Sequence, residues 1–277
     1  MNHVLSTHLI VNHRLTSVWL EKIWNAGIPQ VELFCAKPHL DYEDRGQIAE
    51  LGHWFRDAEL KVWSMHCPLF TDDVWGRSGP HSILTIAEPD KSKRTKMLDV
   101  FKRALEIAET VPFRYFIQHI GVPHDEYDEH KLEAAFTALE ELILFAGQRK
   151  VEILIENIPN RLTTSERLIE FVQATHLNLG FCFDVGHAHL MEGIEPAFHR
   201  LKDRIRSTHV HDNNGQKDQH LFPLVMPGGT VNWNQTMPLL RSAGGEVPLL
   251  LELMQKIEEP HPLEAACEAF QKLEEMA

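Results

Sequence analysis

Short apolar runs alternate with amphipathic stretches from one end of the chain to the other. Runs at 4–11, 30–35, 62–66, 115–119, 152–156, 180–184, 207–211 and 248–253 are mostly apolar. Their near-continuous hydrophobicity predicts strands covered on both faces, as in a parallel sheet. Between them apolar residues recur at helical spacing, as Met97, Val100, Phe101, Leu105 and Ala108 do. That pattern predicts helices at 17–26, 44–59, 91–110, 131–147, 165–174, 194–204, 234–243 and 261–276. Eight strand–helix units in 277 residues predict an α/β fold of the (β/α)8 TIM-barrel type. A doubly wound open sheet is the alternative, but no G-x-G-x-x-G follows the first run. No Gly/Ser/Pro-rich linker divides the chain, so residues 1–277 are read as a single domain. One long connection, roughly 69–89, carries Trp75, Arg77 and His81 and is a candidate lid.

In such a barrel, chemistry collects at the carboxyl ends of the strands. The third run ends in SMHCP with His66, the fourth in QHIG with His119, and the fifth in IENIPN with Glu156. The sixth ends in FDVGHAH with Asp184 and His187, and the eighth in LLELM with Glu252. The seventh ends in HVHDN with His209 and His211, followed by Asp218 and His220 in DQH. Imidazoles and carboxylates are costly to bury without a partner. A divalent cation satisfies both types at once. A lone strand-end histidine is more often a hydrogen-bonded structural residue, and a lone glutamate often caps a helix. Six consecutive strands ending on metal-capable side chains are poorly explained that way. Gly228–Gly229 reads as a plain turn, and Trp233 as packing at a helix start.

Composition narrows the partners. Hydrophobic residues make up 43% of the chain, enough for a sizeable core. A formal charge of −13 argues against nucleic acid as the main partner, because such proteins usually carry a basic footprint. The four cysteines show no zinc-knuckle spacing and fit a reducing compartment. Neither a signal-peptide pattern nor a run of roughly 18 apolar residues is visible. The expectation is a cytoplasmic protein away from the membrane, with a homo-oligomer left open.

The set IEN, FDVGHA, HVHDN with DQHL, PGGTVNW and LLELM resembles the xylose-isomerase-like TIM-barrel superfamily along essentially the whole chain. The sugar isomerase and epimerase branch implies one divalent ion held by Glu156, Asp184, His209 and Glu252. Zn²⁺, Mn²⁺, Mg²⁺ or Co²⁺ suits that donor set. The same resemblance makes Glu156 and Glu252 the catalytic pair, exchanging a carbon-bound proton through an enediolate of a small sugar. His187 and His66 are then substrate-binding candidates, Trp75 is a stacking platform, and Arg161 is a candidate for a hydroxyl or phosphate. Phe34 and the loop 37–44 are candidate pocket walls. The related apurinic endonucleases of the endonuclease IV type imply up to three zinc ions. The matching positions add His66, His119, His187, Asp218 and His220 to the four already named. Against that branch, this chain has ENIPN for E-N-T-A-G, DVGH for D-T-C-H and HVHD for H-L-N-D. One ion and a sugar isomerase or epimerase are therefore favoured.

Overall fold

The computed structural model describes residues 1–72, 78–256 and 259–276. Among them, eight parallel strands form one sheet in the order β7-β6-β5-β4-β3-β2-β1-β8. They are β1 (His3–Ser6), β2 (Gln30–Phe34), β3 (Lys61–His66), β4 (Tyr115–Gln118), β5 (Glu152–Glu156), β6 (Gly180–Asp184), β7 (Ile205–His209) and β8 (Leu249–Leu251). The ring closes just past β7, where Val210 bridges Leu251 and donates from its backbone N–H to Leu250 O (2.8 Å). Glu252 N–H returns a bond to Val210 O at 3.2 Å. The sequential order around the ring excludes the open doubly wound sheet.

Helices cover the outside of the ring: α1 (Ser17–Asn25), α2 (Arg45–Asp57), α3 (Lys91–Glu106), α4 (Glu129–Gly147), α5 (Ser165–Ala174), α6 (Val185–Met191), α7 (Ile194–Leu201), α8 (Trp233–Arg241) and α9 (Pro262–Glu274). Several start on the residue types that satisfy orphan amides of a first turn. Asp90 accepts from Lys93 N, Thr164 from Arg167 N and Asn232 from Gln235 N. None of the described helices is long and apolar enough to cross a membrane.

Strand alternation sorts the core into two layers. Ile153 and Ile155 of β5, Phe181 and Phe183 of β6, and Leu249 and Leu251 of β8 belong to the large cluster shared with the helices. Their neighbours Leu154, Cys182 and Leu250 join Val4, Trp63, Tyr115 and Ile117 in a separate cluster that fills the barrel. Each large apolar side chain so buried contributes about 1.5–3 kcal/mol. Two residues further along β5 and β6, the same inner face carries Glu156 and Asp184. A period of two thus lifts the polar residues directly onto an apolar floor.

Three local departures from the expected pattern have physical causes. The apolar run 4–11 is not one strand. After Ser6 the chain turns into a 3-10 segment, Thr7–Ile10, and the Ser6 side chain accepts from His8 N. β7 begins earlier than expected because Cys182 pairs with Ser207 while Phe181 pairs with Ile205, which leaves Arg206 as an extra residue. A short helix, α6, was not foreseen between β6 and α7. The connection expected as a lid is pinned at its base, with Thr71 N–H donating to Ser82 O (2.8 Å) and Leu84 N–H to Leu69 O (2.9 Å). Its residue Trp75 lies outside the described residues.

Candidate metal centre at the carboxyl end of the barrel

Glu156 sits at the centre of the site. Its Oε2 lies 3.0 Å from His119 Nε2 and 3.6 Å from His66 Nε2. Its Oε1 lies 3.2 Å from His209 Nδ1 and 3.3 Å from His187 Nδ1. Burial pushes this carboxyl up, but the imidazoles of His209, His119 and His187 together hold it well below the ordinary carboxylate range. Asp184 ends β6 and caps α6, its Oδ1 accepting from His187 N at 2.6 Å. The side chain of Asn157 grips the Asp184 backbone at two points. Asp184 N–H donates to Asn157 Oδ1 (2.8 Å), and Asn157 Nδ2 donates to Asp184 O (2.9 Å). This clamp gives the asparagine of the IEN motif a task that the sequence did not reveal.

His209 Nδ1 faces Glu252 Oε2 at 3.4 Å and Asp184 Oδ2 at 3.9 Å. Glu156, Asp184, His209 and Glu252 therefore form one group whose ligand atoms lie within 4.8 Å of one another. Glu156 Oε1, Asp184 Oδ2 and His209 Nδ1 are buried without a hydrogen-bond partner among the described residues. Orphaned acceptors converging on one point are costly unless something positive sits between them. Three carboxylates and one imidazole suit Mg²⁺, Mn²⁺, Co²⁺ or Zn²⁺.

Two further groups flank the first. His66 and His119 converge on Glu156, and His187, His211, Asp218 and His220 converge on one another. In the latter group His187 Nε2 is 3.1 Å from Asp218 Oδ2, and His220 Nε2 is 3.4 Å from Asp218 Oδ1. The opposite ring nitrogens are held by main-chain carbonyls. His187 Nδ1 lies 3.0 Å from Asn157 O, His220 Nδ1 2.9 Å from Glu252 O, and His66 Nδ1 2.8 Å from Cys67 O. Such bonds fix the tautomer and aim the Nε2 lone pairs inward.

His211 joins this second group although the resemblance implies no ligand at its position. Its Nε2 is buried without a hydrogen-bond partner among the described residues, and its ring stacks on His220 at 3.9 Å. The ring rests against Gly186, where an added Cβ would come within 2.0 Å of His211 Cε1. Gly186→Ala is expected to destabilise the fold by about 1–3 kcal/mol through overpacking. Thermal unfolding measures this, and an unchanged midpoint would show that His211 is not wedged there. Gly229 has a similar reason, since its Cβ would meet the Asp212 carboxylate at 2.3 Å. Asp212 in turn accepts from Trp233 Nε1 (2.7 Å) and Val231 N (3.1 Å), so this turn and Trp233 are structural.

A cavity of about 300 Å³ opens above the groups. Its polar lining includes His66, His119, Glu156, His187, Asp218, His220 and Glu252, together with His8. Its outer walls are apolar, among them Phe34, Leu69, Phe70, Ile83, Ile158 and Met254. Phe34 is thus placed as expected, whereas the loop 37–44 is absent from the lining. Arg161 is exposed and also absent from the lining, so the structure does not bring it to the other site residues.

A family model described as the xylose isomerase-like TIM barrel matches residues 20–274. The chain is 29% identical over 178 residues to the uncharacterized protein MJ1614 of Methanocaldococcus jannaschii, covering 62% of this chain and 63% of that one. It spans between 53% and 63% of the length of the curated relatives it matches. Among solved structures it is similar to a D-tagatose 3-epimerase-like protein, with a TM-score of 0.77 and 23% identity, covering 99% and 97% of the two chains. It is also similar to the IOLI protein with a binding zinc atom, with a TM-score of 0.76 and 18% identity over 99% and 96%. At such identities the likeness establishes a shared fold.

Proposed function

The chain belongs to the xylose isomerase-like TIM-barrel family, and from that premise we propose that it is a divalent-cation-dependent isomerase or epimerase of a small sugar. The observation that carries this reading is the convergence of Glu156 Oε1, Asp184 Oδ2 and His209 Nδ1, none of them hydrogen-bonded among the described residues, with Glu252 beside them. The structural neighbour described as D-tagatose 3-epimerase-like supports the substrate class. The zinc-bound neighbour supports the cation.

Glu156, Asp184, His209 and Glu252 would hold a divalent cation, which would supply Lewis acidity toward a carbonyl and its neighbouring hydroxyl. Glu156, kept ionised by the surrounding imidazoles, removes the proton from the carbon beside the carbonyl and leaves an enediolate. Glu252, reaching the same point from β8, returns a proton from the other side. One carboxylate must be free to accept while the other donates, which is why two are needed. His187 and His66 line the cavity within reach of a substrate oxygen. No lysine or arginine lines the cavity among the described residues. A neutral sugar therefore suits it better than a phosphorylated one, and the charge of −13 disfavours a polyanionic partner.

The test is incubation of zinc-, manganese- or cobalt-reconstituted protein with a panel of ketoses and keto-sugars in deuterated water. Deuterium is expected at the carbon beside the carbonyl. Product without deuterium would indicate a hydride shift and overturn the two-carboxylate mechanism.

The flanking histidine groups favour a second reading, a multi-zinc phosphoesterase that activates water across several ions. Under that reading the loaded protein holds up to three ions and hydrolyses abasic DNA or another phosphoester. Elemental analysis alongside both assays separates the two.

A further inference from the structure

We infer that Glu32 is a positioning residue that sets which nitrogen of His209 is offered to the cation. The inference rests on the proposed cation site. Glu32 lies on the inner face of β2 and is fully buried. Ser64 Oγ donates to its Oε2 at 2.7 Å, and His209 Nε2 lies 3.1 Å from the same oxygen. A buried carboxylate is tolerated only where it is paired and hydrogen-bonded, and Glu32 has the Ser64 hydroxyl and the His209 imidazole below the site.

An ionised carboxylate only accepts hydrogen bonds. Its presence at Nε2 therefore requires a His209 proton on Nε2, which makes Nδ1 the nitrogen available to a cation. Nδ1 is the atom that points at Glu156, Asp184 and Glu252. His66, His187 and His220 are oriented the opposite way round, with Nδ1 on a main-chain carbonyl. His209 has no such carbonyl among its hydrogen bonds in the described residues; it is oriented by a charged side chain instead. A carboxylate behind a ligating imidazole fixes its orientation and raises its basicity.

The backbone is shaped for this contact. Between β2 and β3 the register shifts, so that Val31 pairs with Val62 but Glu32 pairs with Ser64. The extra residue is Trp63, whose indole N–H donates to Ser207 Oγ at 3.2 Å. The same irregularity thus brings the Ser64 hydroxyl level with Glu32 and places an indole in the apolar floor beneath it.

The test compares Glu32→Gln and Glu32→Leu with the parent protein after chelator treatment. Zinc affinity is read by competition with a chromophoric chelator, and the cobalt-loaded forms by their visible d–d absorption. Folding is checked by circular dichroism. Glu32→Gln keeps the shape and loses the charge, so zinc affinity is expected to fall about 10-fold, and Glu32→Leu nearer 100-fold. The cobalt spectrum is expected to change in both. Long-range proton–nitrogen spectra of the zinc-loaded parent should show His209 protonated on Nε2, a readout that does not depend on any variant folding. Parent-like affinity and cobalt spectra in both variants, or a proton on Nδ1 in the parent, would overturn the role of Glu32 alone. Absence of cation binding by the parent would overturn the site with it.

Discussion

Glu252→Gln is expected to lower deuterium exchange into a sugar substrate by about 10²–10⁴-fold while the barrel stays folded. Glutamine has the size and shape of glutamate but can neither carry nor release the proton that the proposed reaction moves. The main chain at this position is held independently of the side chain. Glu252 N–H donates to Val210 O at 3.2 Å, and Glu252 O receives His220 Nδ1 at 2.9 Å. Circular dichroism should therefore be unchanged, while cation affinity weakens through the loss of one charged ligand. The comparison needs exchange rates measured at saturating cation, so that occupancy does not imitate a chemical defect. A variant exchanging at the parent rate would remove Glu252 from proton transfer and leave it as a ligand only.

The second large effect is on stability, and it depends on pH. Burial lowers the His220 imidazole, but Asp218, Glu252 and Asp184 outweigh it and raise it to about 9. An imidazole raised above its unfolded value of about 6.5 stabilises the cation-free fold fully below that pH. The contribution, of order 3 kcal/mol, is lost as pH rises through about 9. His187 and His209 shift in the same direction. A cation held by Glu156, Asp184, His209 and Glu252 needs the His209 ring neutral, so its binding releases a proton and strengthens as pH rises. At about 100 times its dissociation constant it adds about 2.7 kcal/mol, or roughly 5–10 °C in Tm. The gap in Tm between zinc-loaded and chelator-treated protein should therefore widen from pH 6.5 to 9. A gap that stays at zero across that range would remove the cation from the site.

The strand-end residues could be placed from sequence because strand alternation is a local property. Once Leu154 faces inward, Glu156 must as well, and Cys182 fixes Asp184 in the same way. No knowledge of distant contacts is needed. Glu32 was missed for the opposite reason. Within QVELF it looks like any polar position in a strand, and its partner His209 is 177 residues away across the ring. Asn157 was quoted as part of a motif, but its grip on the Asp184 backbone is likewise a contact between strands. The run 4–11 misled because the residues of the 3-10 turn, Thr7–Ile10, are as buried as those of the strand before it. Hydrophobicity does not change where the backbone does. Helix α6 escaped because Val185, Gly186, His187 and Ala188 are all buried, so seven residues present no clean polar stripe. His211 is visible in HVHDN, yet the related pattern H-L-N-D has asparagine there, so the resemblance implies no ligand at that position.

The seam where the ring closes runs between His209 and Glu252, and Val210 with Leu251 forms the bridge that joins its two edges. Any ion shared by those two side chains would lie directly over that joint. Binding would then act as a rivet through the last closure of the barrel, coupling occupancy of the pocket to the integrity of the whole cylinder.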